Sequence, residues 1–542
     1  MNDPLEVYPY SIDKLIEIIA DKSKNPQDVI LNKLHHIYFQ GYCDDIGVKT
    51  IVVENSYVDQ HFLEDYSAYY VRCFYKYERF CTRVHFFEDE FTSEEMLSVL
   101  SGSDGEFEEK LKKSYLGFSV IKPLPQTVIG RTCLKNYPNN ENAVRYFPSI
   151  RKYEINLFGI NLAVESLAFQ EQDRVAAACA TSALWSVFQG TGKEFQHIIP
   201  SPVQITQAAT EKQPLESRVL PNRGLTTSMM AHAIRHVGLE PDLLKVSDEY
   251  ILKSTLYAYL KGRIPMILGI ELWDTSNTND ETIGFHAVAV TGYRLNDDKD
   301  SSYGESGFRL RATRIEKIYV HDDQVGPFAR MELDGKTVNI GMNEHNNPIE
   351  RKSLSTSWIG KDEKIGSIRA LPSILLVPLY HKIRIPFKSI HDVIISFDFV
   401  IEVLKQMPDS LMNDEKRLEW DIYLTTNNDV KTNIREGGLL KGEPLRDFLL
   451  NGMPHFLWRA TAFQGDEEIL DLFFDATDIE QGVFFLGAIE YDDDLSLFIR
   501  ILLKNKSIKK HFVKESSWQI INWFAEQEVE GLDEHLSEAD IH

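Results

Sequence analysis

The sequence predicts an α+β fold in three consecutive domains, on three observations. The chain has 542 residues, several times the roughly 150 of a common domain. Its composition, 43% hydrophobic and 26% charged, is that of a folded globular chain and excludes collagen-like, low-complexity and wholly disordered readings. Its apolar patterning also changes character along the chain. Residues 1–150 read as β-rich, 151–335 as alternating strand and helix, and 365–542 as a further α+β unit, with the polar stretch Asp334–Lys364 as an excursion or linker.

Each element follows from local pattern. Ile12, Leu15, Ile16 and Ile19 recur at helical spacing, which predicts a helix over Ser11–Asp21. Thr50–Val53, Ala68–Tyr75 and Tyr115–Ile121 are rich in β-branched and aromatic residues and read as strands. Leu162–Phe169 is a strand candidate, followed by the Ala-rich helix Ala176–Phe188, which Gly190 and Gly192 are expected to stop. Pro200–Arg223 reads as a long surface loop, and Thr226 or Thr227 as the cap of a helix through Val237. A helix over Ser247–Leu260 leads to strands at Ile264–Ile270, Phe285–Tyr293 and Phe308–His321, the last two separated by the acidic loop Asn296–Gly307. The C-terminal unit is expected to hold Ile374–Ile385, a helix at Ile390–Gln406, and strands at Trp420–Thr425, Phe456–Thr461 and Gly482–Ile489, before an acidic tail from Glu526.

Composition narrows the function classes. The formal charge is −24, opposite in sign to the field that binds phosphate backbones, so nucleic acid is not an expected partner. The first residues lack a basic and an apolar segment, so no secretory signal is expected. No apolar run approaches the roughly 18 residues of a membrane span, and the protein is expected to be cytoplasmic with no membrane partner. Five cysteines, at 43, 73, 81, 133 and 179, are odd in number and lack CxxC spacing; this fits reduced thiols and offers no zinc site. With no Gly-rich phosphate loop either, no cofactor is expected.

A reactive thiol needs a setting that favours the thiolate. Cys73 and Cys81 sit among Tyr, Phe and Arg, and Cys43 stands beside Asp44 and Asp45, which disfavour the anion. Cys133 has Arg131 and Lys135 nearby and competes on charge. Cys179 lies where a turn becomes a helix, among small Ala residues that leave its sulfur approachable. A nucleophilic cysteine requires a base, and the base an orienting acceptor. His286 stands at the mouth of an otherwise apolar strand, and the following strand ends in His321-Asp322-Asp323 before a Gly-Pro turn. Adjacent antiparallel strands could bring that carboxylate to the imidazole.

A Gln upstream of a helix-borne Cys, a helix leading into Lys261–Leu268, then Gly284–Tyr293 and a strand ending in Asp resemble the papain-like cysteine peptidases, closest to the branch that processes bacteriocin leader peptides. The likeness covers about Leu162–Met331. It implies a papain-like core, flanked by a β-rich N-terminal and an α+β C-terminal domain, that cleaves a protein or peptide through a thioester. It assigns Cys179 as nucleophile, His286 as base and then acid, Asp322 as orienting acceptor, and Gln172 as an oxyanion donor beside the Cys179 N–H. This chain departs from the pattern in having Ala180 after the cysteine and Asp323 where the branch usually has Pro. Gln172 lies one position further from the cysteine than usual, with Gln170 close by. Either carboxylate can be the partner, and either Gln the donor.

Other readings come from the same residues. A papain-like core without activity would be a scaffold or binding protein, and the same thiol could deamidate or transamidate a protein side chain. His232 and His236, at i and i+4, could face one metal, but Ala233 stands where a zinc-peptidase helix carries its Glu. The Pro200–Arg223 and Asn296–Gly307 loops are candidate lids by position alone.

Overall fold

The computed structural model describes residues 3–140, 143–173, 175, 178–211, 224–277, 280–298, 307–406, 417–479, 484–513 and 515–527. Helices and strands are both abundant, as an α+β chain requires. The chain forms two compact units: Met1–Leu252, Arg263–Leu295 and Ile315–Tyr380 make one, and Lys253–Gly262, Asn296–Arg314 and His381–His542 the other. The three expected spans are thus distributed over two units. The physical reason is a shared core: one apolar cluster takes Val52 and Phe62 from the N-terminal region, Leu184 and Trp185 from the helix that begins at Cys179, and Ile267, Ala289 and Leu376 from later strands.

In the first unit, five strands form an antiparallel sheet in chain order: Leu5–Pro9, Thr50–Tyr57, Cys81–Phe87, Tyr115–Ile121 and Ile129–Leu134. The helix Ile12–Ser23 covers it with Leu15, Ile16, Ile18 and Ile19 inward, and Ser11 is its cap, accepting from Lys14 N at 3.1 Å. Ala68–Tyr75, expected as a strand, instead ends the helix Gln60–Ala68 and makes a 3₁₀ turn at Tyr70–Arg72. Asp59 starts that helix by accepting from Phe62 N at 3.0 Å. The aromatics that suggested a strand pack on one another, Tyr70 meeting Tyr77 edge-on at 5.4 Å.

Six later strands close an antiparallel barrel. Met266–Asp274 pairs with Glu281–Leu295, followed by Ile315–Asp322, Gly326–Glu332, Leu354–Ser355 and Ile368–Tyr380, which pairs back with Met266–Asp274; Leu239–Lys245 adds outside Ile368–Tyr380. Asp334–Lys364, expected as an excursion or linker, supplies a barrel strand and the hairpin Thr337–Met342/Pro348–Lys352.

The Cys179–Phe195 helix packs on this barrel and runs past both glycines expected to stop it. They serve close packing instead: a Cβ at Gly190 would lie 2.8 Å from Pro265 Cγ, and one at Gly192 would lie 2.7 Å from Ile199 Cγ1. Part of the expected Pro200–Arg223 loop is the helix Pro202–Thr210, begun by Ser201 with Pro at its first position and Gln204 Oε1 accepting from Ser201 N at 3.0 Å. Residues 212–223, 299–306 and 528–542, which hold the rest of that loop, most of the acidic loop and the tail, lie outside the described residues.

The second unit holds a sheet of Glu419–Thr426, Phe456–Gln464, Glu467–Asp475 and Phe485–Glu490, antiparallel throughout, with Arg309–Leu310 added parallel to the first. A buried ion pair crosses it, Arg459 Nη2 to Asp471 Oδ2 at 2.6 Å, joined by Thr461 and Tyr491. Among the described residues, no helix of the chain is long and apolar enough to cross a membrane.

Candidate active site

Cys179 is the first residue of its helix, and the preceding Ala178 has extended backbone and no side chain that can cap. Ser182 N donates to Ala178 O at 3.0 Å, and the N–H groups of a helix's first turn point outward from its start. This end of the helix favours negative charge beside it, whether on the sulfur or on a substrate oxygen. The segment leading in is pinned twice. Glu171 Oε2 accepts from Val128 N at 2.9 Å and Ile129 N at 3.0 Å while its other oxygen pairs with Lys33. Asp173 accepts from Val175 N at 2.7 Å and from the Tyr70 hydroxyl at 2.9 Å.

His286 lies on the Glu281–Leu295 strand, and Asp322 ends the neighbouring Ile315–Asp322 strand. The His286 ring donates through Nε2 to Asp322 Oδ1 at 3.0 Å, and the Cys179 side chain lies near enough to the same imidazole to favour its protonation. With Nε2 committed to the carboxylate, Nδ1 is the nitrogen left for the sulfur. The three residues expected to act together therefore meet.

Asp322 is held by more than the imidazole. Its Oδ1 also accepts from Gln324 N at 3.0 Å, and its Oδ2 accepts from Trp358 Nε1 at 2.8 Å. Burial alone would raise this carboxyl, but the His286 charge and these donors hold it below the usual range. Burial likewise opposes the His286 imidazolium, yet the Asp322 charge and hydrogen bond prevail and the ring titrates well above an ordinary histidine.

Asp323 has a different environment. Its Oδ1 is 3.7 Å from His286 Nε2 and has no hydrogen-bond partner among the described residues, while Oδ2 accepts from Gln324 Nε2 at 2.7 Å. Burial, reinforced by the adjacent Asp322 charge, pushes it up to about 7. Of the two carboxylates left open by sequence, Asp322 is the one hydrogen-bonded to the imidazole, with Asp323 as a buried carboxyl beside it.

The glutamines are not resolved in the same way. Gln172 is half-buried and makes no hydrogen bond to Cys179, His286 or Asp322 among the described residues. Gln170 is buried, and its Nε2 has no partner among the described residues, an unspent donor. Burial pushes Cys43 and Cys133 up to about 12 and raises Cys81 as well, while the half-buried Cys73 donates its thiol to Tyr69 O at 3.8 Å. At Cys133, burial outweighs Arg131 and Arg151.

Among the described residues, the group with metal-ligand spacing is His286, Asp322 and Asp323, with one donor atom of each within 4.8 Å of the others. Both Asp322 oxygens and His286 Nε2 are already engaged in hydrogen bonds, so a cation there would have to break them. The arrangement suits proton sharing.

Trp358 is the residue that sequence reasoning missed. Besides its bond to Asp322, its ring meets His286 edge-on, with centroids 5.6 Å apart. A single Trp in the polar stretch Asp334–Lys364 was the available signal. The chain matches no protein-family model, and no curated protein matches it.

Proposed function

We propose that the protein is a cysteine-type peptidase with a papain-like core, acting on a protein or peptide substrate through a thioester intermediate. The observation that carries this reading is the convergence of the Cys179 side chain, the His286 ring and the Asp322 carboxylate, with His286 and Asp322 hydrogen-bonded at 3.0 Å. A cysteine at an uncapped helix start, facing a histidine and an aspartate on adjacent strands of a closed barrel, resembles the arrangement of the papain-like peptidases.

The chemistry follows from these positions. The Cys179 thiolate attacks the substrate carbonyl, and the oxyanion is received by the Cys179 N–H at the helix start and by a Gln amide, from Gln172 or Gln170. Imidazolium Nδ1–H then protonates the leaving amine as the C–N bond breaks. Neutral His286 takes a proton from water, the hydroxide attacks the thioester, and the carboxylic acid leaves as the thiolate returns. Asp322 keeps the ring in the productive tautomer throughout and stabilises its charged form.

The test is a proteome-wide search for new N-termini in cells expressing the wild-type chain or Cys179→Ala. Termini that appear with the wild type alone are expected. Their absence, with both proteins folded, refutes the peptidase reading, and a substrate gaining about one dalton without a cut assigns deamidation to the thiol instead.

A further inference from the structure

The strand that carries His286 is longer than its partner. Glu281–Leu295 pairs with Met266–Asp274 from Glu281 onward, whereas pairing with Ile315–Asp322 begins only at Ala289. Glu281–Phe285 is therefore ladder-bonded on one side and, among the described residues, has no strand partner on the other. A free edge exposes N–H and C=O groups that can pair with another chain.

This edge also carries unexplained apolar surface. Ala287 and Ala289 pack in the core with Ala180, Ala183 and Leu184 of the Cys179 helix. Side chains alternate along a strand, so Phe285 lies on the same face, one step beyond where the helix covers it. It is 83% exposed, and Ile283, the extra residue of a bulge opposite Leu272/Trp273, is 56% exposed. Bulges of this kind re-aim side chains beside functional sites.

Charge on this ladder is one-sided. Glu271 stands directly across from Phe285 and Asp274 across from Glu281, with Lys361 the cation paired to both Asp274 and Glu281. Three carboxylates to one ammonium favour an approaching cation.

We propose that Glu281–Phe285 is the substrate-docking edge: an extended polypeptide segment adds to it as a strand, seating an aliphatic or aromatic side chain against Phe285 and Ile283 with a Lys or Arg nearby. Main-chain pairing supplies affinity and the apolar contact supplies selectivity. This rests on the peptidase reading, because His286 at the end of the edge brings the docked segment to the Cys179 sulfur.

The test uses the full-length Cys179→Ala protein, which cannot turn peptides over, panned against a randomised linear dodecapeptide library. Selected peptides are expected to share a large apolar residue accompanied by Lys or Arg. The synthetic consensus peptide should bind Cys179→Ala/Phe285→Asp at least about tenfold more weakly, with unfolding unchanged because the side chain is exposed. Methylating alternate amides of that peptide should weaken binding in one of the two phases, because strand addition uses every second N–H. Binding that survives Phe285→Asp, indifference to methylation in both phases, or failure to select the pattern overturns the proposal. Iodoacetamide labelling of the wild type separates the two readings. A Cys179 no faster than the other thiols, with the peptide pattern intact, sinks the peptidase assignment and leaves the docking edge standing.

Discussion

Replacing Asp322 with Asn tests the relay most sharply, because three donors converge on this one carboxylate. His286 Nε2 and Gln324 N share Oδ1, and Trp358 Nε1 takes Oδ2. Asn offers a single oxygen, so with that oxygen toward His286 its NH₂ confronts the indole N–H. Two opposed buried donors cost about 1–3 kcal/mol, and adding Trp358→Phe to the Asp322→Asn protein removes one of them. The charge term is larger. At 3.0 Å and an effective dielectric of about 20, the pair is worth at most about 5 kcal/mol. The His286 value, now held well above the ordinary one, should fall, and the alkaline limb of activity should move to lower pH. Histidine carbon NMR, with the resonance assigned by its loss in His286→Asn, reads the shift. Urea unfolding of the single and double variants reads the donor conflict. A His286 titration unmoved by Asp322→Asn refutes the electrostatic account, and a double variant no more stable than the additive expectation refutes the donor count.

Two further outcomes are expected. Asp323, raised to about 7 by burial and by Asp322, binds its proton more tightly in the folded than in the unfolded chain, where an aspartate titrates near 3.9. It therefore supports folding most at low pH and progressively opposes it as pH rises from about 4 to 7. The groups facing it are His286, Asp322, Glu171, Gln324 and the His35 ring. Asp323→Asn should raise the unfolding temperature at pH 8, corresponding to on the order of 2–4 kcal/mol, and change it little at pH 4; an equal effect at both counts against the shift. Gly190→Ala should destabilise by about 1–2 kcal/mol in urea despite the better helix propensity, because its Cβ would press on the rigid ring of Pro265 at 2.8 Å. A stabilised variant would show that the ring yields.

Much of the candidate site was legible because its parts are short-range. The helix at Cys179 follows from a run of small residues after a polar turn, and the His286 and Asp322 strands follow from apolar alternation over fewer than about ten residues. Ala68–Tyr75 and the two glycines were misread for the converse reason. Aromatics that favour a pleated sheet serve equally well to pack a turn against itself, and a glycine that ends one helix lets another pass close to a proline.

The sequence by itself determined that a thiol, an imidazole and a carboxylate follow in order, each at an end of a regular element, in an acidic α+β chain. Only the tertiary structure decided which of two adjacent aspartates faces the imidazole, that Trp358 completes the acceptor's shell, and that six strands close into a barrel. The difference is physical. Periodicity and capping are written into neighbouring residues, whereas the state of a proton depends on burial and on donors brought together from distant stretches of chain, which no local pattern records.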